Sequence, residues 1–365
     1  MKQKLFVLIA VFAVLAIGVF LSCDKDCPVC PEDNTGEPGN YRLYVLDTYN
    51  RFILSIDTPA DTIVDSTRID YLAVDLFVTP DGDRLLVRGD KFHIYNTSDL
   101  SFIETRDQQN CIYRFDGGDN YGIMSNLEKT YFINPSDLTP FDSIDFDLLP
   151  DESLNPFDAY LDTTSDQYFI VTSKLPDTTY IIFQIDCRSR SVVDSIKTLR
   201  SWGGGGPIAY NWLTNDLYFM TIFYNGSYFR QYDLTGDSLI SSTYISHITG
   251  SISVSPDGRQ VYMTDGGDGM HWIHPSRPIW VFDALTHQPI HWITPYDTSG
   301  KYVDGLFGQI ILTPDNQRAY LGGNSNATGT PVTVIDLKLN RIIGVIEPFN
   351  VSDAASIALG PVPEN

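Results

Sequence analysis

From Tyr41 to Asn365 the apolar positions fall in short runs rich in Val, Ile, Tyr, Phe and Thr, separated by clusters of Gly, Pro, Asn and Asp. Runs this short, bounded by turn formers, read as strands, and no stretch holds a 3.6-residue period long enough to form a helix. The pattern also repeats. SPDGRQVYMTD, Ser255 to Asp265, has relatives in TPDGDRLLVRGD, Thr79 to Asp90, and TPDNQRAYLGGN, Thr313 to Asn324. Each is a proline-started tight turn feeding a strand.

A second hairpin recurs seven times, each with an aromatic or aliphatic residue followed by Asp or Asn: SIDTPADTIVDS, IYNTSDLSFIE, FINPSDLTPFDS, QIDCRSRSVVDS, QYDLTGDSLISS, VFDALTHQPIHW and VIDLKLNRIIGV. Its turn residues are Asp57, Asn96, Asn134, Asp186, Asp233, Asp283 and Asp336. A carboxylate or amide oxygen there can accept a hydrogen bond from the backbone N–H two residues on, so these acidic groups read as structural. Successive turns lie 38 to 53 positions apart, the length of one four-stranded propeller blade. Inner strands are expected to begin near Leu72, Asn110, Asn155, Gly206, Gly250, Phe307 and Ala354. The last has no partners after it, and the chain opens at Tyr41 without an inner strand before it. ASIALG, Ala355 to Gly360, is therefore expected to complete the first blade and close the ring. The prediction is an all-β fold: one domain, residues 41–365, forming a seven-bladed β-propeller of four-stranded antiparallel blades.

LYVLD at Leu43 to Asp47, VYMTD at Val261 to Asp265 and TVIDLKLNRIIGVI at Thr333 to Ile346 resemble the repeats of the YVTN β-propeller family. The resemblance spans nearly all of residues 41–365 and is sharp in the first, fifth, sixth and seventh repeats. It implies an exported propeller, often at the cell surface. Related folds include lactonases and quinoprotein or amine dehydrogenases, so the fold does not choose a function.

Residues 1–22 stand apart from the repeats. Lys2 and Lys4 precede an uncharged run from Leu5 to Leu21, the organisation of an export signal, with a retained N-terminal anchor as the competing reading. FLSC, Phe20 to Cys23, resembles the lipobox of bacterial lipoproteins, in which the cysteine is acylated and becomes the N-terminus. That resemblance implies a lipid anchor on Cys23 and a place on the cell envelope, in the periplasm or at the outer surface. Residues 23–40, rich in Pro, Gly, Asp and Asn, read as a flexible tether. Within it Cys27 and Cys30 have zinc-knuckle spacing but lack two further ligands nearby, so a local disulfide is the reading in an exported chain, with a free or redox-active pair as the alternative. Cys111 and Cys187 read as small buried residues.

Charge narrows the partners. Forty-six acidic against 24 basic residues give a formal charge of −22, which repels nucleic-acid backbones. The expected partners are the membrane, through the lipid, and a small molecule, glycan or protein, bound by a monomer; no cofactor is required by the sequence. No G-x-S-x-G elbow, H-E-x-x-H zinc motif or helix-opening G-x-G-x-x-G is present. WGGGGP, Trp202 to Pro207, reads as an inter-blade loop, and DGGD at Asp116 to Asp119 and DGGDG at Asp265 to Gly269 read as turns. Two insertions, Gly266 to Pro278 and His291 to Gly308, load one sector of one propeller face. The candidate ligand-binding residues are His247, His271, Trp272, His274, His291, Trp292, Tyr296, Tyr302, Asp304, Trp202 and Arg200. Imidazole, indole and phenol groups at a pocket mouth offer stacking surface and oriented hydrogen bonds. Convergence of His247, His271 and His274 with Asp304 would be needed for a metal; packing of these aromatics onto the rim is the alternative. A binding or scaffolding module is the leading reading. A lactonase-like hydrolase, with a loop histidine as base and Arg200 or Lys301 polarising a carbonyl, and a redox propeller are the others.

Overall fold

A computed structural model describes residues 40–48, 50–107, 112–115, 121–126, 129–146, 153–162, 165–175, 179–197, 205–223, 226–245, 249–265, 278–303, 308–322, 332–346 and 354–362. Twenty-eight strands form seven four-stranded antiparallel sheets. The chain is a seven-bladed β-propeller. Six blades take four consecutive strands each, with inner strands Asp75–Val78, Ile112–Phe115, Ser153–Asp162, Gly205–Asn211, Thr249–Val254 and Ile310–Leu312 (blades 2 to 7). Blade 1 is composite. Its inner strand is Ala354–Pro361, paired antiparallel with Tyr41–Asp47, so that Tyr44 faces Ala358 and Leu43 faces Leu359. The ring closes as the repeat pattern requires, and each inner strand begins within three residues of its expected start.

The core lies between blades. Each of seven buried clusters joins two neighbouring sheets. At the closure, Leu43, Val45, Leu54, Ile56 and Ile357 of blade 1 pack on Tyr320, Val332, Val334 and Ile346 of blade 7. Alternation explains this: successive side chains in a strand point to opposite faces, and both faces of each blade are covered by a neighbour. The outermost strands are the exception, with exposed patterns such as that of Thr62–Arg68. All seven of these edge strands carry a register shift against the third strand. A bulge in each edge spoils it as a template for another chain.

Turn chemistry follows the sequence closely. In the turn after the inner strand, the Ser255 hydroxyl donates to Asp257 Oδ1 (2.6 Å) and accepts from Gln260 N–H (2.9 Å). Thr79 repeats this with Asp81 (2.5 Å) and Arg84 N–H (3.0 Å), and Thr313 with Asp315 (2.5 Å) and Arg318 N–H (3.0 Å). Gly258 sits at φ +70°, where a Cβ would stand 2.6 Å from Leu213 Cβ, so this position requires glycine twice over. In the other recurrent turn, the side chains of Asn96, Asn134, Asp186, Asp233 and Asp283 accept from the N–H groups of Ser98, Ser136, Arg188, Thr235 and Leu285, two residues on. Asp336 accepts instead from Leu339, three residues on. Two residues after Asp57 stands Pro59, which has no N–H to donate; here the Thr58 hydroxyl instead ties the strand end to Tyr41, accepting from its N–H and donating to its O (3.1 and 3.0 Å).

Tyrosine hydroxyls tie blade to blade. One corresponding position of the second strand holds Tyr44, Tyr218, Tyr262 or Tyr320 in blades 1, 5, 6 and 7, each almost fully buried. Tyr44 donates to Thr97 O of blade 2 (3.3 Å), Tyr262 to Asn340 Oδ1 of blade 7 (2.9 Å), and Tyr320 to Asp61 Oδ1 of blade 1 (2.9 Å). Tyr218 reaches blade 6 through Gln231, whose amide bonds both Tyr218 and His287. Burial pushes the Tyr44 hydroxyl up to about 12, which keeps it a donor at any physiological pH.

Two expectations follow. Ile357→Ala removes a fully buried side chain shared by blades 1 and 7 and costs about 2–4 kcal/mol in urea denaturation; a loss below about 1 kcal/mol would show that the closing strand is not part of the cooperative core. Asp283 is held below the ordinary carboxylate value by the N–H and hydroxyl of Thr286. A depressed carboxyl stabilises the fold above its unfolded pKa and loses that contribution as pH falls through the folded value. Asp283→Asn keeps the turn acceptor without titrating, so it flattens the drop in urea midpoint between about pH 5 and pH 3.

Candidate functional site

All seven inner strands line one axial cavity of about 770 Å³. Its walls follow from strand register. The residue four places before the inner turn begins the wall at Asp75, Asp158, Pro207, Ser251 and Gln309, joined by Ser356 of the closing strand. Two residues further down come Phe77, Arg114, Tyr160, Ser253, Ile311 and Ala358. The alternate residues Leu76, Ala159, Ile252, Ile310 and Ile357 also border the cavity while being buried between blades, and Phe77, Tyr160, Ile311 and Ala358 likewise pack on the clusters between blades.

The polar groups of the wall form two staples, each spanning three blades. Asp158 of blade 4 accepts from Arg114 of blade 3 (Nη2 to Oδ1, 2.8 Å), from its neighbour Ala159 N–H (2.8 Å) and from Ile208 N–H of blade 5 (Oδ2, 3.1 Å). Arg114 also donates to Ala159 O at 2.7 Å, and its guanidinium carbon lies 5.8 Å from the centre of the Phe77 ring of blade 2. Burial raises the Asp158 carboxyl above the usual range, opposed by the Arg114 charge and the two backbone donors. On the other side, the single Ser356 hydroxyl proton of blade 1 is directed to Asp75 Oδ1 of blade 2 (2.6 Å), with Gln309 Oε1 of blade 7 standing 3.2 Å from the same hydroxyl oxygen. Gln309 Oε1 also accepts from Ile357 N–H at 3.1 Å. Arg88, on the second strand of blade 2, reaches Asp75 Oδ2 at 3.3 Å.

Four of the sequence candidates lie among the described residues. His291 and Trp292 are on Pro289–Ile293, the outermost strand of blade 6. His291 Nε2 stands 3.1 Å from Asn340 O, in the third-to-fourth-strand turn of blade 7, on the face opposite the blade-to-blade connections. Trp292 is half-exposed and packs edge-on against Trp280 with centroids 5.5 Å apart. These two are rim residues, separate from the axial wall. Tyr296 and Tyr302 do sit in the connection between blades 6 and 7. They pair across an isolated bridge, rings 5.7 Å apart, with Val303 N–H bonded to Pro295 O and Val303 buried in the interface between those blades. Lys301 lies in the exposed turn of that small hairpin, its N–H on Asp297 Oδ1. His247, His271, Trp272, His274, Asp304, Trp202, Arg200, Cys23, Cys27, Cys30 and Cys111 lie outside the described residues, as do the segment Asp116 to Asp119 and Gly266 to Gly269. Cys187 is buried between blades 3 and 4. Among the described residues, no three His, Cys, Asp or Glu side chains converge on a point that could hold a metal ion.

Sequence reading missed Asp75, Arg114, Asp158, Gln309 and Ser356. For Asp75, Asp158 and Gln309 the signal was a residue capable of hydrogen bonding four places before the inner turn, and for Ser356 a hydroxyl in the otherwise apolar closing strand.

No protein family profile matches the chain, and no curated protein sequence matches it. Solved structures share the fold. A protein of unknown function from Desulfotomaculum acetoxidans superposes with a TM-score of 0.60 at 15% identity, over 88% of this chain and 99% of that one. Hydrazine synthase from Kuenenia stuttgartiensis gives 0.59 at 11% identity over 90% of this chain and 99% of that one. The dihydro-heme d1 dehydrogenase NirN, solved in complex with DHE, gives 0.55 at 12% identity over 87% of this chain and 74% of that one. Identities this low carry the fold and no chemistry.

Asp158→Ala leaves Arg114 without its carboxylate and Ile208 N–H without its acceptor. The expected cost is about 1–3 kcal/mol by urea denaturation. An unchanged midpoint would mean that the staple carries no stability.

Proposed function

We propose that this chain is an extracytoplasmic binding module, built of YVTN-type repeats and tethered to the cell envelope through an acylated Cys23, that takes a small molecule at its axial cavity. The observation that carries the reading is the cavity itself, about 770 Å³ at the one place where all seven blades meet. That volume is in the range of small-molecule sites. The ionisable groups in the wall are each committed to partners: Asp158 to Arg114 and two backbone N–H groups, Asp75 to Ser356, Arg88 and the N–H of Leu76. Groups held this way orient a ligand; a general base or nucleophile needs a lone pair aimed at a transferable proton or an electrophile. The export signal, the lipobox-like FLSC and the tether before Tyr41 support the location.

The test has two parts. Metabolic labelling with a fatty acid is expected to label the wild type and not Cys23→Ser; equal labelling of both removes the anchor. A thermal-shift screen of the purified protein against small metabolites, run beside assays for lactone turnover, is expected to give saturable stabilisation of a few degrees without turnover. Lactone turnover abolished by Asp158→Asn would overturn the binding reading in favour of a hydrolase.

A further inference from the structure

Arg230 lies outside the axial cavity, on the third strand of blade 5, Gly226–Asp233, and is partly buried. In the ladder it stands opposite Phe219, which packs on Phe169, Val171, Ile182 and Ile196 of blade 4. Opposite residues share a sheet face, so Arg230 is on the side of blade 5 turned toward blade 4. Arg88, Arg114 and Arg318, also partly buried, meet Asp75, Asp158 and Asp61 at 3.3, 2.8 and 2.8 Å. Arg230 meets no carboxylate among the described residues, and burial draws its guanidinium below the ordinary arginine value. A cation withdrawn from water without a counter-charge is a cost to the fold, here in a chain with 46 acidic residues.

The guanidinium is nevertheless held in place. Its Nε–H donates to Oγ1 of the buried Thr221 at 2.9 Å, and its central carbon lies 5.9 Å from the centre of the Tyr228 ring. With Nε engaged, Nη1 and Nη2 remain without an acceptor among the described residues. These two form the end-on pair of donors whose spacing matches the two oxygens of a carboxylate. Tyr228 stands opposite Tyr244 of the outermost strand, with the rings edge-to-face and their centres 5.3 Å apart. Tyr244 is half-exposed. A fixed cationic fork therefore adjoins an aromatic surface that reaches solvent.

We propose that Arg230, Thr221, Tyr228 and Tyr244 form a second binding site, separate from the axial cavity, for a monocarboxylate with a flat apolar body. The carboxylate takes Nη1 and Nη2, and the body lies against the tyrosine rings. Charge favours a carboxylate over a phosphate dianion: the field of a chain of formal charge −22 repels a dianion about twice as strongly as a monoanion.

The test is calorimetric titration of the full-length protein in detergent with benzoate, its neutral isostere benzamide, and phenyl phosphate. Benzoate is expected to bind saturably, at least about tenfold more tightly than benzamide, and to weaken as salt rises. Arg230→Lys keeps the charge and removes the fork, and is expected to weaken benzoate binding roughly tenfold. Arg230→Met is expected to abolish the preference for benzoate while its urea midpoint, without ligand, stays at or above that of the wild type, because the uncompensated charge is gone. That combination separates a ligand site from a structural arginine, whose loss lowers the midpoint. Equal binding of benzoate and benzamide, benzoate binding unchanged in Arg230→Met, or a lowered midpoint in that variant overturns the inference. Phenyl phosphate bound more tightly than benzoate overturns the choice of a carboxylate.

Discussion

A four-stranded sheet with apolar side chains on both faces is unstable until something covers each face, and in this chain the cover is always the next blade. That requirement governs the structure. Seven clusters, one for each blade junction, leave no sheet face unpaired only if the last blade meets the first. The chain meets the condition by giving its final strand to its first blade, where Ile357 is wholly buried with residues from both ends of the sequence. Closure also fixes the fit of the turns: Pro361 lies against Gly82 of blade 2 so tightly that a Cβ there would come within 2.5 Å of its Cγ.

Blade contact alone is non-directional, and buried tyrosines supply direction. In blades 1, 6 and 7 a hydroxyl from the second strand bonds directly to the outer turn of the next blade, and in blade 5 it does so through Gln231. Blades 2, 3 and 4 have Leu86, Ile123 and Phe169 at that place and pack without the polar contact. The tyrosine is thus a junction residue, which explains why it speaks for blades and says nothing of ligands.

The axial cavity is a by-product of the same closure. Inner strands turned toward an axis border it with part of their side chains, and those positions tolerate polarity. The chain uses them to staple blades 3, 4 and 5 through Asp158 and blades 1, 2 and 7 through Ser356, Asp75 and Gln309. The residues that stitch the blades together are also the ones that hold the polar groups of the wall in place.

Period and turn chemistry are local properties, and the sequence by itself determined them. Strand alternation, the Ser255 and Thr313 turns, the Asx turns and the blade length were all legible, and from them came the blade count and the closing strand. At Asp57 the residue two places on is Pro59, which has no N–H to donate, so the expected bond cannot form there, and at Asp336 the donor stands one residue further on. The axial site was another matter. Asp75, Asp158, Gln309 and Ser356 are separated by up to 281 positions, and each alone is an ordinary polar residue in or beside a strand. Loop histidines and tryptophans drew the eye because they are chemically distinctive, yet His291 and Trp292 went to the outer rim. Only rotation about the propeller axis, which no linear pattern contains, brings Asp75, Asp158, Gln309 and Ser356 of separate blades to one cavity and sends the fourth strand of every blade to the periphery.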